Sequence, residues 1–196
     1  MRSASLRQAV WHRHLNALNP GAPLRAWLGA AGSLTARLIA HSGAFRVQRL
    51  HQRSALCLAD EAGAIGLARA GRVWEREVLL RCDDAPVVFA HTVVPMTATA
   101  ADWPLFSALG ERSLGSTLFS DPRVHRGELE FARIRAGHPL LARARAALGA
   151  GPDLPVLYAR RCLYRRHQGT LLVTEVFLPS VLELVCASPT RKLTSQ

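Results

Sequence analysis

Residues 171–178 alternate like a β-strand and place one charge where an apolar side chain belongs. The run Leu171, Leu172, Val173, Thr174, Glu175, Val176, Phe177, Leu178 follows the turn signal Gln168-Gly169-Thr170 and stops at Pro179. Successive side chains of a strand point to opposite faces. One row therefore holds Leu171, Val173, Glu175 and Phe177, and the other Leu172, Thr174, Val176 and Leu178. Both rows are largely apolar, which predicts an inner strand covered on both faces. Glu175 is the exception. A buried carboxylate without a partner costs several kcal/mol or takes up a proton, so the fold must bring something to meet it.

About a hundred residues earlier, residues 74–80 (Trp-Glu-Arg-Glu-Val-Leu-Leu) alternate as well. Trp74, Arg76, Val78 and Leu80 form the apolar row, with Arg76 as its intruder; Glu75, Glu77 and Arg81 form the other. Two inward rows with opposite charges admit two accounts. One is a buried structural ion pair. The other is a ligand pocket, with a guanidinium for a carboxylate and a carboxylate for a hydroxyl.

The length, 196 residues, suits one domain spanning the chain. No apolar run approaches the roughly 18 residues that cross a bilayer, and the first residues lack the apolar core of a secretory signal. The expectation is a cytoplasmic protein with no stable membrane insertion. The net charge of +11 invites a nucleic-acid reading. However, nearly all of it is arginine, dispersed and without a helix-turn-helix pattern, so no nucleic-acid partner is expected. Residues 1–59 hold eight arginines and no acid, read as a solvated basic face. Cys57, Cys82, Cys162 and Cys186 form no CxxC, which excludes a zinc ribbon.

Along the chain, Leu6, Val10, Leu15 and Leu18 predict a helix over residues 3–18, within an N-terminal helical segment ending at residue 23. A short helical turn follows over 24–28, then a helix over 34–41 capped by Ser33. Leu34 falls in its first turn, where free backbone N–H groups favour an anion. Strands are expected over 45–50, 73–81, 87–94, 128–134, 157–165 and 171–178, with a loop or flap over 52–72. The strand at 87–94 places Val87, Phe89, His91 and Val93 on one face, so His91 is a third polar group on an apolar row. Asp102 predicts a cap for a helix over 103–109, and Ser113 one for a short helix from Leu114. The Leu114-Gly115 step allows a close backbone approach. A further helix spans 138–148, and 187–196 reads as a frayed tail. Short hairpins between strands argue for an α+β fold with an antiparallel sheet.

No GxSxG, Walker, dinucleotide or HExxH pattern is present. The expected chemistry therefore uses no metal and no cofactor, and relies on charge placement in a closed pocket.

Taken in order, Gly32-Ser33-Leu34-Thr35, residues 74–80, Thr92-Val93-Val94-Pro95, Leu109-Gly110 with residues 114–119, and residues 171–179 resemble the chorismate lyase family over about residues 24–180. The resemblance implies an antiparallel sheet of about six strands with helices packed against it and a ligand cavity closed by helical flaps. It implies a lyase that splits chorismate into 4-hydroxybenzoate and pyruvate without a cofactor, opening ubiquinone biosynthesis, and a monomer. By the same resemblance Arg76 binds the ring carboxylate and Glu175 the ring hydroxyl, as the two catalytic residues. Backbone at Leu114 contacts the ligand, and Leu34 lines the pocket. The family carries arginine where this chain has His91, which becomes a substrate-binding candidate for the pyruvyl carboxylate. Arg160 or Arg161 is the other candidate for that second carboxylate. The competing account is a non-catalytic module of the same fold that binds a small aromatic acid.

Overall fold

Six strands form one antiparallel sheet in the computed structural model, which describes residues 7–98, 101–104, 106–149 and 155–184. They are β1 (Phe45–Leu56), β2 (Arg72–Cys82), β3 (Ala85–Pro95), β4 (Val124–Arg135), β5 (Val156–Arg166) and β6 (Gly169–Phe177), in the spatial order β1-β2-β3-β6-β5-β4. The helices among the described residues are α1 (Ala22–Leu28), α2 (Leu34–Ala40), α3 (Leu114–Ser120) and α4 (Pro139–Leu148). The α+β architecture expected from the sequence is the one observed, with β6 at its centre.

The hairpins follow from local chemistry. Between β2 and β3 the chain turns through Asp83 and Asp84 at φ +47° and +64°, a left-handed conformation that aspartate tolerates better than most residues. The Asp83 carboxylate accepts from the backbone N–H groups of Gly43 and Ala44, which ties the start of β1 to this turn. A one-residue register shift between Leu80 and Arg81 then places Glu77 opposite His91 and Arg76 opposite Thr92.

Alternation then sorts the side chains onto two covered faces. On the front, Trp27, Leu28, Leu34 and Leu38 of α1 and α2 pack on Val78, Leu80 and Ala90. On the back, Leu140, Leu141 and Ala144 of α4 pack on Leu79, Phe89 and Val176. Burying one leucine-sized side chain contributes about 1.5–3 kcal/mol, so both layers are strongly held. Ser33 caps α2 by accepting from the Ala36 N–H. His138 caps α4 in the same way through the Leu140 N–H.

Three sequence expectations are corrected. Residues 7–14 are not helical. His12 pairs with Phe131 on the outer edge of β4 through two 2.8 Å backbone bonds, and only Leu15–Ala17 makes a 3-10 turn. Trp11 donates to Asp60, and the Arg161 guanidinium lies 4.3 Å from the Trp11 ring centre. These tertiary contacts outweigh a weak helical spacing. Residues 103–109 are turns rather than a helix where described; Trp103, Phe106 and Leu109 are nonetheless buried, against Leu118 and Leu171. Strand β1 also runs to Leu56, into the expected flap. The expected tail at 187–196 lies outside the described residues.

Candidate active site

The front face of the sheet does not close completely beneath its helices. Between β2, β3, β6, β5 and β4 and the N-terminal ends of α2 and α3 lies a cavity. Arg76, Glu175, Leu34 and Leu114 all line it. Leu34 and Leu114 are the first residues of α2 and α3. The two helices meet there through a 2.6 Å hydrogen bond between the Thr35 and Ser113 hydroxyls. Gly115 makes this approach possible, since a Cβ at that position would meet Thr35 Oγ1 at 3.0 Å.

Arg76 and Glu175 are not partners of each other. Glu175 accepts from Arg160 Nε at 2.5 Å, and Arg160 also donates to the carbonyls of Leu28 and Ala30, where α1 leads into α2. Arg160 is thus neutralised within the protein and fixes both the Glu175 carboxylate and the chain that enters α2. This structural pair differs from the one the sequence left open.

Arg76 is 2% exposed. Its Nη2 donates to the carbonyls of Gly110 and Arg112, each at 3.1 Å, in the segment before α3. No carboxylate faces it among the described residues, and its Nε has no hydrogen-bond partner. Burial, then the like charge of Arg49, lowers its pKa to about 10. The guanidinium therefore stays charged at neutral pH, and a buried cation without an anion is costly. A ligand carboxylate removes that cost.

The cavity's other polar groups lie towards β4 and β5. Tyr164 and Cys162 line it beside Arg126. Burial raises the pKa of both the phenol and the thiol, so both are neutral at physiological pH.

His91 is elsewhere, and its assignment as a substrate-binding residue is corrected. It is fully buried on the back face, with Nδ1 3.0 Å from Glu77 Oε1 and Nε2 2.9 Å from Glu61 Oε1. Neighbouring Thr92 is the β3 residue that lines the cavity. Burial alone would lower the pKa of His91, but Glu61 and Glu77 outweigh it and raise it to about 10. Burial would raise Glu77, but His91 and then Arg143 draw it down to about 2. Arg161 is corrected too. It faces the back, where it donates to Glu130 and to the Asp60 carbonyl. Neither residue reaches the cavity.

The back face holds a polar cluster that sequence reasoning missed. Glu75 and Glu77 are buried, not solvated, and Arg143 Nη1 of α4 lies 2.6 Å from a carboxylate oxygen of each. His51 joins them, with Nε2 2.9 Å from Glu77. The trio His51, Glu75 and Glu77 has metal-like spacing, but Arg143 already supplies the cation.

A six-stranded antiparallel sheet with a cavity under short helices defines an α+β fold. It matches the effector domain of PhnF from Mycobacterium smegmatis, with a TM-score of 0.52 at 16% identity, covering 77% of this chain and 91% of that one. It also matches a GntR-family transcriptional regulator from Bacillus cereus, with a TM-score of 0.50 at 14% identity, covering 69% and 92%. These likenesses concern the fold alone. The family model described as chorismate lyase matches residues 5–185, and the chain belongs to that family. It is 49% identical over 177 residues to a probable chorismate pyruvate-lyase of Cupriavidus metallidurans, covering 89% of this chain and 82% of that protein. A protein of the same description from Ralstonia nicotianae is 53% identical over 157 residues, covering 79% and 80%.

Proposed function

We propose that the protein is a chorismate pyruvate-lyase, acting as one domain and one monomer, that makes 4-hydroxybenzoate for ubiquinone biosynthesis. The observation that carries this reading is Arg76, a buried guanidinium lining a cavity, with backbone carbonyls and, among the described residues, no carboxylate for partners. Chorismate supplies the missing anion through its ring carboxylate, and Glu175 accepts from the ring hydroxyl. With the ring held between them, the C3–O ether bond breaks and the C4 hydrogen is lost. The electron pair of the C4–H bond completes the aromatic ring. The departing enolpyruvate takes up a proton at its methylene carbon and leaves as pyruvate. Atoms balance with no oxidant, no metal and no cofactor, because aromatisation drives the step. No general base is assigned: intramolecular transfer of the C4 hydrogen to the leaving group accounts for the proton equally well.

No helix among the described residues is long and apolar enough to cross a membrane. A cytoplasmic setting, with a water-soluble substrate and product, belongs to the same proposal.

Purified protein mixed with chorismate and a chelator should release 4-hydroxybenzoate and pyruvate in equal amounts. Binding of 4-hydroxybenzoate without turnover would favour a non-catalytic module of this fold. Arg76→Ala should weaken 4-hydroxybenzoate binding by about 2–5 kcal/mol, as expected when a buried charge pair loses one partner, while the apo protein stays folded. Undiminished affinity in that variant would remove Arg76 from the site.

A further inference from the structure

With His91 and Arg161 on the back face and Arg160 held by Glu175, neither histidine nor the β5 arginines provide for a second carboxylate. We infer that Arg126 is the substrate-binding residue for the enolpyruvyl carboxylate. This rests on the chorismate reading above and adds to it the place where the leaving group is held.

Three observations carry the inference. The first is charge. Among the described lining residues are three arginines, Arg76, Arg126 and Arg160, and one acid, Glu175. The lining therefore carries two positive charges in excess. A product with one carboxylate neutralises one of them, whereas a substrate with two neutralises both.

The second is position. Arg76 is on β2 and Arg126 on β4, and three strands, β3, β6 and β5, lie between them. At about 4.8 Å per strand, a flat sheet would separate their backbones by about 19 Å. Both side chains line the same cavity, so they enter it from opposite flanks, with Glu175 of β6 on the floor between. Chorismate has the same order of groups: a ring carboxylate at one end, the ring hydroxyl within, and a second carboxylate on the enolpyruvyl arm.

The third is the local backbone. The pairing of β4 with β5 slips between Arg126 and Leu129, and Gly127 lies within the irregularity. A Cβ at Gly127 would meet the Leu163 carbonyl at 2.8 Å. A bulge re-aims the side chains beside it. Here Arg126 and Leu129, an odd number of residues apart, both line the cavity, which regular alternation would forbid. The slip in pairing is what allows Arg126 to face inward.

The test separates substrate from product. Arg126→Met and Arg126→Lys are compared with the parent for chorismate KM, for 4-hydroxybenzoate affinity by calorimetry, and for melting temperature. Loss of one charge-assisted contact should raise the KM of Arg126→Met by about ten- to a hundred-fold. Lysine should recover part of this, and 4-hydroxybenzoate affinity should change by less than about threefold in both. Equal loss of substrate and product affinity would overturn the inference, making Arg126 a general support of the cavity. Unchanged KM in a folded variant would overturn it too. Were the parent to bind chorismate without turning it over, the lyase reading would fail instead, and chorismate affinity by calorimetry would decide the role of Arg126 in the same way.

Discussion

Glu175 has two obligations, and they separate experimentally. One oxygen accepts from Arg160, which is almost fully buried, while the side chain as a whole retains some exposure to the cavity. Glu175→Gln keeps the shape and removes the charge. It should lower apo stability by about 1–3 kcal/mol, the cost of weakening a hydrogen bond to a charged group, and should also shrink the rise in melting temperature produced by 4-hydroxybenzoate. A lowered apo melting temperature with an undiminished ligand shift would leave Glu175 as the partner of Arg160 only. His91 tests the back face. Its pKa lies above the ordinary 6.5, so its contribution is complete below that pH and is lost as pH rises through about 10. The pKa of Glu77 lies below the ordinary 4.5, so its contribution is present above 4.5 and lost as pH falls through about 2. Together they predict greatest stability between about pH 4.5 and 6.5. His91→Gln should cost about 3–5 kcal/mol in that window by leaving buried carboxylates undercompensated, and should flatten the alkaline decline seen by thermal melting. Strand alternation already placed His91 with Phe89 and Val93. The two-residue turn at Asp83-Asp84 pairs Cys82 with Ala85, which by itself would set Arg76 opposite His91, but a register shift between Leu80 and Arg81 sets Glu77 there instead. No local sequence pattern reveals that shift, and it is what assigns His91 to the row of Glu77 rather than to that of Arg76.

At the scale of elements, the alternation of β2, β3 and β6 was legible because both of their faces are buried. The covering of Glu75 and Glu77 was not legible, because the cation that balances them, Arg143, is on α4, more than sixty residues further along the chain. The N-terminal residues misled for a related reason: helical spacing was present, but Phe131, Asp60 and Arg161 hold the segment extended, and no local pattern reveals them. The short helices α2 and α3 were legible through Ser33 and Ser113. What joins them is the hydroxyl pair Thr35–Ser113, seventy-eight positions apart. Thr35→Val preserves the side-chain shape and removes that bond. It should cost about 1 kcal/mol of stability and speed 4-hydroxybenzoate release, measured by stopped-flow displacement, because α2 and α3 together cover the cavity. Unchanged release would show that the cover does not depend on this contact.

For the molecule as a whole, the two faces of one sheet solve opposite problems. The back face buries carboxylates and supplies matching cations from β3 and α4. The front face buries a cation at Arg76 and, among the described residues, supplies no acid for it. A bound carboxylate therefore does for the front what Arg143 and His91 do for the back, and mass action converts its affinity into stability, about 2.7 kcal/mol at a hundredfold excess over Kd.

The His12–Phe131 pairing has a consequence for the protein's colloidal behaviour. The outer edge of β4 is a row of amides and carbonyls that another chain's strand would recognise as readily as its own. Part of that row is occupied by residues more than a hundred positions earlier, anchored through Trp11 and Asp60. A chain nicked by a protease within this short segment would keep its cavity, its sheet and its helices. It would also bare a template for intermolecular pairing, so the first sign of damage would be turbidity rather than lost turnover.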